Sequence, residues 1–234
     1  MPHDDLWQEF ASTCDRVVPR LYCYQRVLAK VIRDLQGRAL ILDAGCGTGI
    51  MGEALVLQGH TVIGLDNNSP MLSQAFVRRA RLTPPQMQAW TLVFGDVACP
   101  PVEVPEHLDA IIFGNVIQFV SDYDALFRSC LNRLRPEGIL IVTGPRHRPD
   151  MQKVFAASVA EWIAAGNYDE ELQKAAAEFG AVSRRLISDP TEMITFFEPP
   201  ELARILTDIG FPKILAADHD DYYGENFYVA AEAK

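Results

Sequence analysis

The sequence predicts an α/β fold with a doubly wound, mostly parallel sheet, and three observations carry that prediction. Short apolar runs alternate with longer segments of helical periodicity along most of the chain. The first run, residues 39–42, has the length and composition of a strand that is buried on both faces. A glycine-rich turn and a helical segment that starts at Glu53 follow it directly, which is typical of a strand–turn–helix unit whose turn cradles a ligand.

The pattern predicts seven strands separated by helical segments. Gly37 stands where the first helical segment ends, a common place for glycine. In residues 146–199, strands and helical segments no longer alternate regularly. The strands are expected at residues 39–42, 60–66, 90–94, 108–113, 139–143, 214–217 and 226–231. Helical periodicity covers residues 5–36, 53–57, 74–80, 122–135, 156–164, 171–179 and 199–210.

Composition narrows the class of protein. The chain has 234 residues, of which 49% are hydrophobic, enough for a substantial core. Its formal net charge of −10 argues against non-specific binding to nucleic acid or to an anionic membrane. The five cysteines lack the spacing of a zinc or redox site, and the sequence has no membrane-spanning apolar run and no signal-peptide pattern. We therefore expect a cytoplasmic protein with no metal, nucleic-acid or membrane partner; whether it is a monomer or a homodimer stays open.

The glycine-rich turn supports two cofactor interpretations. Gly47, Gly49 and Gly52 match the G-x-G-x-x-G pattern of dinucleotide sites. In such sites the first glycine directly follows the strand, whereas four residues separate Leu42 from Gly47. The other interpretation takes residues 43–49 as the unit. A turn that binds no ligand is a third possibility, but three alternating glycines cost backbone entropy without improving the packing.

Residues 43–49, Asp-Ala-Gly-Cys-Gly-Thr-Gly, resemble the first motif of class I S-adenosylmethionine-dependent methyltransferases, in which an acidic residue ends strand one and a G-x-G-x-G turn follows. The resemblance runs from about residue 38 to the end of the chain. It implies a Rossmann-like methyltransferase fold with an antiparallel last strand, and S-adenosylmethionine as the cofactor. Four further stretches carry it: Asp66 after strand two, Gly95-Asp96 after strand three, Gly114-Asn115 after strand four and Arg135-Pro-Glu-Gly138 before strand five.

The resemblance places the cofactor at the carboxyl ends of the strands. A carboxylate at Asp66 can accept hydrogen bonds from a ribose diol, unless it is merely a surface loop acid. Asp96 would receive the adenine amino group. The N-terminal aromatics Trp7, Phe10, Tyr22 and Tyr24 could either cover a ligand or pack on the sheet. The cofactor contacts that we expect are Tyr24, Asp43, Gly45, Cys46, Gly47, Asp66, Asn67, Met71, Asp96, Val97 and Asn115.

In this family an insertion after strand five commonly covers the substrate. We expect Arg146, Trp162 and Phe197 to contact the acceptor. His147 is the first candidate for a general base, because it lies just past strand five at the ligand end of the sheet. His219 is a second candidate, and a reaction that needs no base stays open. The alternatives are a solvated loop at His147 and an insertion that serves only as an extra helical layer. The chain is thus interpreted as one methyltransferase domain with a helical cap (1–37), a cofactor-binding core (38–145), a lid insertion (146–199) and a last helix with two strands (200–234).

The sequence thus predicts a methyltransferase that acts on an oxygen or nitrogen atom of a small-molecule acceptor. No Asn-Pro-Pro-Tyr tetrapeptide is present, which argues against methylation of adenine in DNA or of protein glutamine. Two alternatives stay open. An NAD(P)-dependent oxidoreductase would bind a nicotinamide nucleotide in preference to S-adenosylhomocysteine. A non-catalytic S-adenosylmethionine-binding module would bind the cofactor and turn over no substrate.

Overall fold

The computed structural model describes residues 2–188 and 194–234 of the chain. The strands in these residues are β1 (Leu40–Ala44), β2 (Thr61–Asp66), β3 (Trp90–Phe94), β4 (Leu108–Gly114), β5 (Leu134–Pro145), β6 (Lys213–Asp221) and β7 (Asn226–Glu232). The helices are α1 (Pro2–Val17), α2 (Tyr22–Asp34), α3 (Ile50–Leu57), α4 (Ser69–Arg79), α5 (Pro84–Gln88), α6 (Tyr123–Arg133), α7 (Met151–Ala164), α8 (Glu170–Ser188) and α9 (Pro199–Ile209). Short 3₁₀ turns lie at Val18–Arg20, Ile117–Phe119 and Tyr222–Gly224.

The described strands form one sheet in the order β3-β2-β1-β4-β5-β7-β6. The strands β1 to β5 run parallel, and β7 runs antiparallel to both β5 and β6. The chain order reverses between β1 and β4, so the carboxyl ends of these two strands open a crevice between them, where open α/β sheets bind ligands. The predicted doubly wound, mostly parallel sheet with an antiparallel last strand is confirmed.

Helices cover both faces of the sheet because neighbouring residues of a strand point to opposite sides. In β1, Ile41 joins the core formed with α2 and α3, and Leu42 joins the core formed with α6 and α9. In β7, Tyr228 and Val229 divide between the same two cores. This burial on both faces explains why the strands read as continuous apolar runs in the sequence.

Several element bounds differ from the prediction. The 3₁₀ turn Val18–Arg20, which contains a proline, interrupts the predicted helical stretch 5–36. Strand β5 begins at Leu134 because that residue pairs with Leu108 ahead of a register shift in the ladder. Arg135 fixes this early segment, since its Nε lies 2.5 Å from Oδ1 of Asp109.

The insertion contains two helices, α7 and α8, and both are longer than the sequence indicates. Helix α7 begins at Met151 because the side chain of Asp150 accepts a hydrogen bond from Lys153 N and so caps its first turn. Helix α8 continues to Ser188 and packs beside α1 above the carboxyl ends of the strands. No helix in the described ranges is long and apolar enough to cross a membrane.

Candidate functional site

A cavity of about 710 Å³ lies at the carboxyl ends of the parallel strands. Its walls come from the loops after β1, β2, β3 and β4, the end of β5, the N-terminal helices and the inserted helices α7 and α8. All eleven residues that the sequence predicts as cofactor contacts line this cavity. They are Tyr24, Asp43, Gly45, Cys46, Gly47, Asp66, Asn67, Met71, Asp96, Val97 and Asn115.

The glycine-rich turn after β1 forms one wall and leaves no room for larger residues. Gly45 has a φ of +75°, and a Cβ atom placed on it would lie 2.3 Å from a methyl carbon of Val116. The N–H groups of Gly45 and Cys46 both donate to the carbonyl of Leu65, at 2.7 Å and 3.0 Å. These bonds hold the turn against the end of β2, so its backbone forms a rigid and shallow part of the cavity wall.

Asp66 is the last residue of β2, and its carboxylate accepts hydrogen bonds from two neighbouring loops. Its Oδ2 accepts a hydrogen bond of 2.8 Å from Gly47 N, and its Oδ1 accepts one of 2.8 Å from Asn68 N. Burial raises the pKa of this carboxyl group, and the two backbone bonds oppose that shift. A carboxylate has about four acceptor positions, so two remain for a ligand. Asp66 therefore both fixes the glycine-rich turn and offers acceptors to the cavity.

Asp43, in β1, has a buried carboxylate oxygen without a partner. Its side chain is 2% exposed, and its Oδ2 has no hydrogen bond. Burial, followed by the negative charge of Asp66, raises its pKa to about 7; a bond from the backbone of Gly52 opposes the shift. A buried and unpartnered carboxylate is costly, so this position favours a ligand that brings a cationic or hydrogen-bond-donating group.

The loop after β3 carries the acid that the resemblance assigns to adenine. Asp96 is exposed on the cavity rim, and its Oδ1 accepts a hydrogen bond of 2.9 Å from Ala98 N. On the neighbouring loop, Asn68 caps α4 by accepting a hydrogen bond from Met71 N, which holds the Met71 side chain at the wall. This part of the cavity thus combines a carboxylate, which can accept a hydrogen bond from an amino group, with an apolar side chain that can pack against a flat ring.

Four polar residues meet where β4, β5 and β7 border the cavity, and we call them the strand-end node: Asn115, Gln118, Thr143 and Asn226. Asn115 has a φ of +58°, a left-handed conformation that is unusual for a residue with a side chain. Its N–H donates to Thr143 O at 2.9 Å, its carbonyl accepts from Gln118 Nε2 at 2.7 Å, and its Oδ1 accepts from Asn226 Nδ2 at 2.6 Å. These bonds hold the strained residue in place.

Opposite the strand ends, the cavity is roofed by five aromatic residues, which we call the aromatic wall. Their rings form a continuous series in which neighbouring centroids lie 5.3–5.9 Å apart. Trp7 and Phe10 come from α1, and the other three come from the 3₁₀ turn after β4, from α7 and from α8. In order along the series the residues are Phe119, Trp7, Phe10, Phe179 and Phe155. The roof is therefore apolar, whereas the floor is polar.

Ion pairs and ring contacts hold α1 in place over the cavity. Arg16 Nη1 lies 2.6 Å from Oε2 of Glu178 on α8, and Glu9 pairs with Arg185 on the same helix. These pairs are exposed, so each contributes little to stability. The buried apolar contacts between the same two helices, which include Phe10 against Phe179, therefore supply most of the attraction.

Two residues that the sequence analysis assigned to the acceptor lie in the protein core and do not line the cavity. Trp162 is 1% exposed, stacks on Tyr168 and donates from Nε1 to Arg20 O at 2.6 Å. Phe197 is 3% exposed and packs edge-on against Tyr123 and Phe227. Their large apolar surfaces are already buried within the protein, so neither residue has surface to offer an acceptor. This part of the prediction is corrected.

Arg146 and His147 also lie outside the set of cavity-lining residues. Arg146 forms an ion pair with Glu198 at 2.7 Å and donates to Gly224 O. His147 has an exposed side chain whose Nδ1 lies 3.1 Å from Arg148 O and 3.8 Å from Oε2 of Glu225. The chain lines the cavity at Pro145 and again at Pro149, but His147 between them does not, so the structure does not support His147 as the general base.

The ionisable side chains that line the cavity in the described part of the chain include four acids, Asp43, Asp66, Asp96 and Asp122, and no lysine, arginine or histidine. Two lining thiols are neutral near pH 7: burial raises the pKa of Cys14 to about 12, and burial also raises the pKa of Cys46 well above its ordinary value. Among the described residues, no group of three or more His, Cys, Asp or Glu side chains could hold a metal ion. The site is therefore acidic.

Sequence comparison finds the pattern of a family described as "Methyltransferase domain" in residues 42–142. A curated relative, the ubiquinone biosynthesis O-methyltransferase of Pseudomonas savastanoi pv. phaseolicola, is 28% identical over 148 residues, which cover 62% of this chain and 62% of that protein. The chain thus matches less than two thirds of the length of such relatives.

Solved structures share the fold at low identity. The complex of DhpI with SAH is similar over 97% of this chain and 93% of that chain, with a TM-score of 0.63 and 16% identity. The glycopeptide N-methyltransferase MtfA, solved with S-adenosyl-L-methionine, is similar over 88% of this chain and 92% of that chain, with a TM-score of 0.59 and 14% identity.

Proposed function

We propose that this chain, a class I S-adenosylmethionine-dependent methyltransferase, transfers the methyl group of that cofactor to an oxygen or nitrogen atom of a small-molecule acceptor. The observation that carries the proposal is the meeting of all eleven predicted cofactor residues in one cavity at the switch point of the sheet. The matching family and the fold of the solved relatives support it. Neither comparison supports an oxidoreductase or a non-catalytic binding module.

The residues at the site suit the proposed cofactor. The unpartnered oxygen of Asp43 would accept a hydrogen bond from the ammonium group at the cofactor's amino-acid end, which would lie along the glycine-rich turn. The remaining lone pairs of Asp66 would accept the ribose hydroxyl groups. Asp96 and the N–H of Val97 would meet the adenine edge, and Met71 would lie against its face. Asn67, Asn115 and Tyr24 would complete the enclosure.

The chain's own contribution to the reaction would be positioning and the exclusion of water. When bound, the cofactor supplies an electrophilic methyl group. Holding two reactants in line can lower a barrier by roughly 7–11 kcal/mol in favourable cases. The aromatic wall would exclude water above the acceptor, and the strand-end node would orient it from below. No lining histidine is available in the described residues, so the proposal assigns no general base.

The proposal can be tested before the acceptor is identified. The protein is incubated with S-adenosylmethionine carrying a deuterated methyl group and with the small-molecule fraction of a cell extract, and new deuterated products are sought by mass spectrometry. We expect at least one deuterated small molecule and an equal amount of S-adenosylhomocysteine. A variant with Asp66 replaced by alanine serves as the control. Formation of S-adenosylhomocysteine with no methylated small molecule would contradict the proposal.

A further inference from the structure

The cavity is also lined by residues that are not assigned to the cofactor. They are the aromatic wall, the strand-end node apart from Asn115, and residues of α8. We call the part of the cavity that these residues line the acceptor compartment. Its walls therefore determine which molecules could receive the methyl group, and the following inference rests on the proposed function.

Three buried polar atoms around this compartment have no hydrogen-bond partner. They are Gln118 Oε1, Thr143 Oγ1 and Ser183 Oγ, and their residues are 3%, 0% and 3% exposed. Buried polar atoms are nearly always paired, since leaving one unpaired costs about 1–3 kcal/mol. All three residues line the cavity, so a ligand in the compartment is the candidate partner for these atoms.

The orientation of the Gln118 amide is fixed by its surroundings. Its Nε2 donates to Asn115 O at 2.7 Å, which assigns Oε1 to the free position. Its backbone carbonyl accepts hydrogen bonds from Ile194 N at 2.8 Å and Thr195 N at 3.2 Å, which anchor the 3₁₀ turn. An amide oxygen can only accept hydrogen bonds, so the group that pairs Gln118 Oε1 must be an O–H or N–H of the ligand.

The charges around the compartment disfavour an anion. The ionisable groups on the described lining residues include four carboxylates and no cationic side chain. The cations near the rim are engaged: Arg146 pairs with Glu198, and Lys153 lies 2.7 Å from Glu225. The guanidinium group of Arg148 donates to the carbonyl of Ile187, a residue of the cavity wall. Three of these four carboxylates are assigned to the cofactor, so the missing cation is what decides: an acceptor with a carboxylate would find no cationic partner on the described lining residues, and burying an unpaired charge is costly.

The hydrogen-bond acceptor and the aromatic wall are adjacent. Phe119 follows Gln118 in the same 3₁₀ turn, and its ring packs edge-on against Trp7 with centroids 5.5 Å apart. A flat ring that lay against this wall would hold its polar substituent near the strand-end node.

We infer that the acceptor compartment binds an uncharged aromatic molecule whose hydroxyl or amino group donates a hydrogen bond to Gln118 Oε1. Gln118 is then a specificity-determining residue, and the lack of a cationic side chain in the described lining disfavours aromatic carboxylates. The aromatic wall supplies the apolar surface, and the polar contacts select the substituent.

Three matched bicyclic probes test this inference: 2-naphthol, its methyl ether 2-methoxynaphthalene, which lacks the donor, and 6-hydroxy-2-naphthoate, which adds a carboxylate. Their dissociation constants are measured by ligand-observed NMR with the protein saturated with S-adenosylhomocysteine. We expect 2-naphthol to bind about tenfold or more tightly than either of the other two, a difference of about 1.4 kcal/mol or more. Equal or tighter binding of the ether or the carboxylate, or no binding of 2-naphthol, would overturn the inference.

Three variants test which residues cause these preferences. Gln118→Met keeps the length of the side chain and removes the amide, so it should abolish the preference for 2-naphthol over its ether. Gln58→Met, at an exposed position at the end of α3, is the matched control and should leave the preference unchanged. Arg148→Gln should not alter the binding of the carboxylate. If it did, the rim arginine would recognise an anionic acceptor, and the inference would be wrong.

Failure of the inference is distinguishable from failure of the proposed function. Binding of S-adenosylhomocysteine is measured first, by calorimetry on the same preparations. If S-adenosylhomocysteine does not bind to the unmodified protein, the proposed function itself fails. If it binds but the three probes do not differ as expected, the methyltransferase assignment stands and the acceptor class is wrong. If Gln118→Met is unstable, the probes on the unmodified protein still decide the inference.

Discussion

At the scale of single residues, Asp66 has more than one role. The sequence suggested a carboxylate that serves only the ribose, but the structure shows that it also holds Gly47 and Asn68 by their N–H groups. Removing the carboxylate therefore takes one hydrogen bond from the glycine-rich turn and one from the next loop, in addition to any bonds to the ligand. The effects on binding and on stability have to be measured separately.

We predict that Asp66→Ala weakens the binding of S-adenosylhomocysteine about ten- to a hundredfold, because a hydrogen bond to a charged group contributes about 1.5–3 kcal/mol. The same variant should also lower the melting temperature of the ligand-free protein, since two backbone N–H groups lose their acceptor. Asp66→Asn, which keeps one acceptor oxygen, should lie between the two proteins in both calorimetry and thermal melting. An unchanged dissociation constant for the alanine variant would show that the ribose binds elsewhere.

The raised pKa of the buried Asp43 carboxyl group leads to a prediction about how stability depends on pH. Its pKa in the folded chain is about 7, well above its ordinary value of 3.8, because burial and the charge of Asp66 disfavour the ionised form. A carboxyl group with a raised pKa contributes stability at low pH and loses that contribution as the pH rises through about 7. The ionised Asp43 carboxylate should therefore lower the stability of the ligand-free protein at pH 8.

We expect Asp43→Asn to stabilise the ligand-free protein more at pH 8 than at pH 5, because the amide remains neutral while Asp43 ionises. Urea denaturation of both proteins at the two pH values gives the difference in free energy of unfolding. The control is Asp124→Asn, at an exposed position of α6. A stability difference that is the same at both pH values would mean that Asp43 is not the titrating group.

At the scale of elements, the sequence analysis made one correct and one incorrect prediction about α7. The sequence indicates correctly that this segment is helical, but it singles out Trp162 as the residue that contacts the acceptor. The structure buries Trp162 in the core, where it stacks on Tyr168 and donates to Arg20 O, whereas Phe155 of the same helix lines the cavity. Periodicity shows that a helix has an apolar face, but it does not show which neighbour covers that face.

The two aromatic residues of α7 form a matched pair. We predict that Trp162→Ala mainly destabilises the fold, by about 3–5 kcal/mol, since a large core side chain is lost. Phe155→Ala should cost less stability, because the side chain is only partly buried, and should lower acceptor turnover while leaving S-adenosylhomocysteine affinity intact. Chemical denaturation and steady-state kinetics measure both effects. Normal turnover by the Phe155 variant would remove α7 from the acceptor compartment.

At the scale of the whole molecule, the meeting of the proposed cofactor residues at one edge of the sheet could be predicted from the sequence, whereas the walls of the proposed acceptor compartment could not. The carboxyl ends of parallel strands meet at one edge of the sheet, so the residues after β1, β2, β3 and β4 come together wherever the strands are recognised. Asp43, Asp66 and Asp96 follow this rule. The acceptor half depends on how α1, α7 and α8 pack on one another, and those contacts join residues far apart in the chain.

The strand-end node illustrates the same limit. Asn115 could be placed from its position after β4, but its partner Asn226 lies at the start of the antiparallel strand β7. Only the pairing of β5 with β7 brings the two side chains together. The unpartnered oxygen of Gln118 likewise becomes visible only when burial and hydrogen bonds are known.

The measurement that tests the account most directly is calorimetric titration of the protein with S-adenosylhomocysteine and, separately, with NAD and NADP. Both cofactor types could occupy a glycine-rich turn, so the comparison decides between the two interpretations of residues 43–52. The account predicts micromolar binding of S-adenosylhomocysteine, a rise in melting temperature in its presence and no binding of either nicotinamide nucleotide. Tight binding of NAD or NADP, with no binding of S-adenosylhomocysteine, would contradict it.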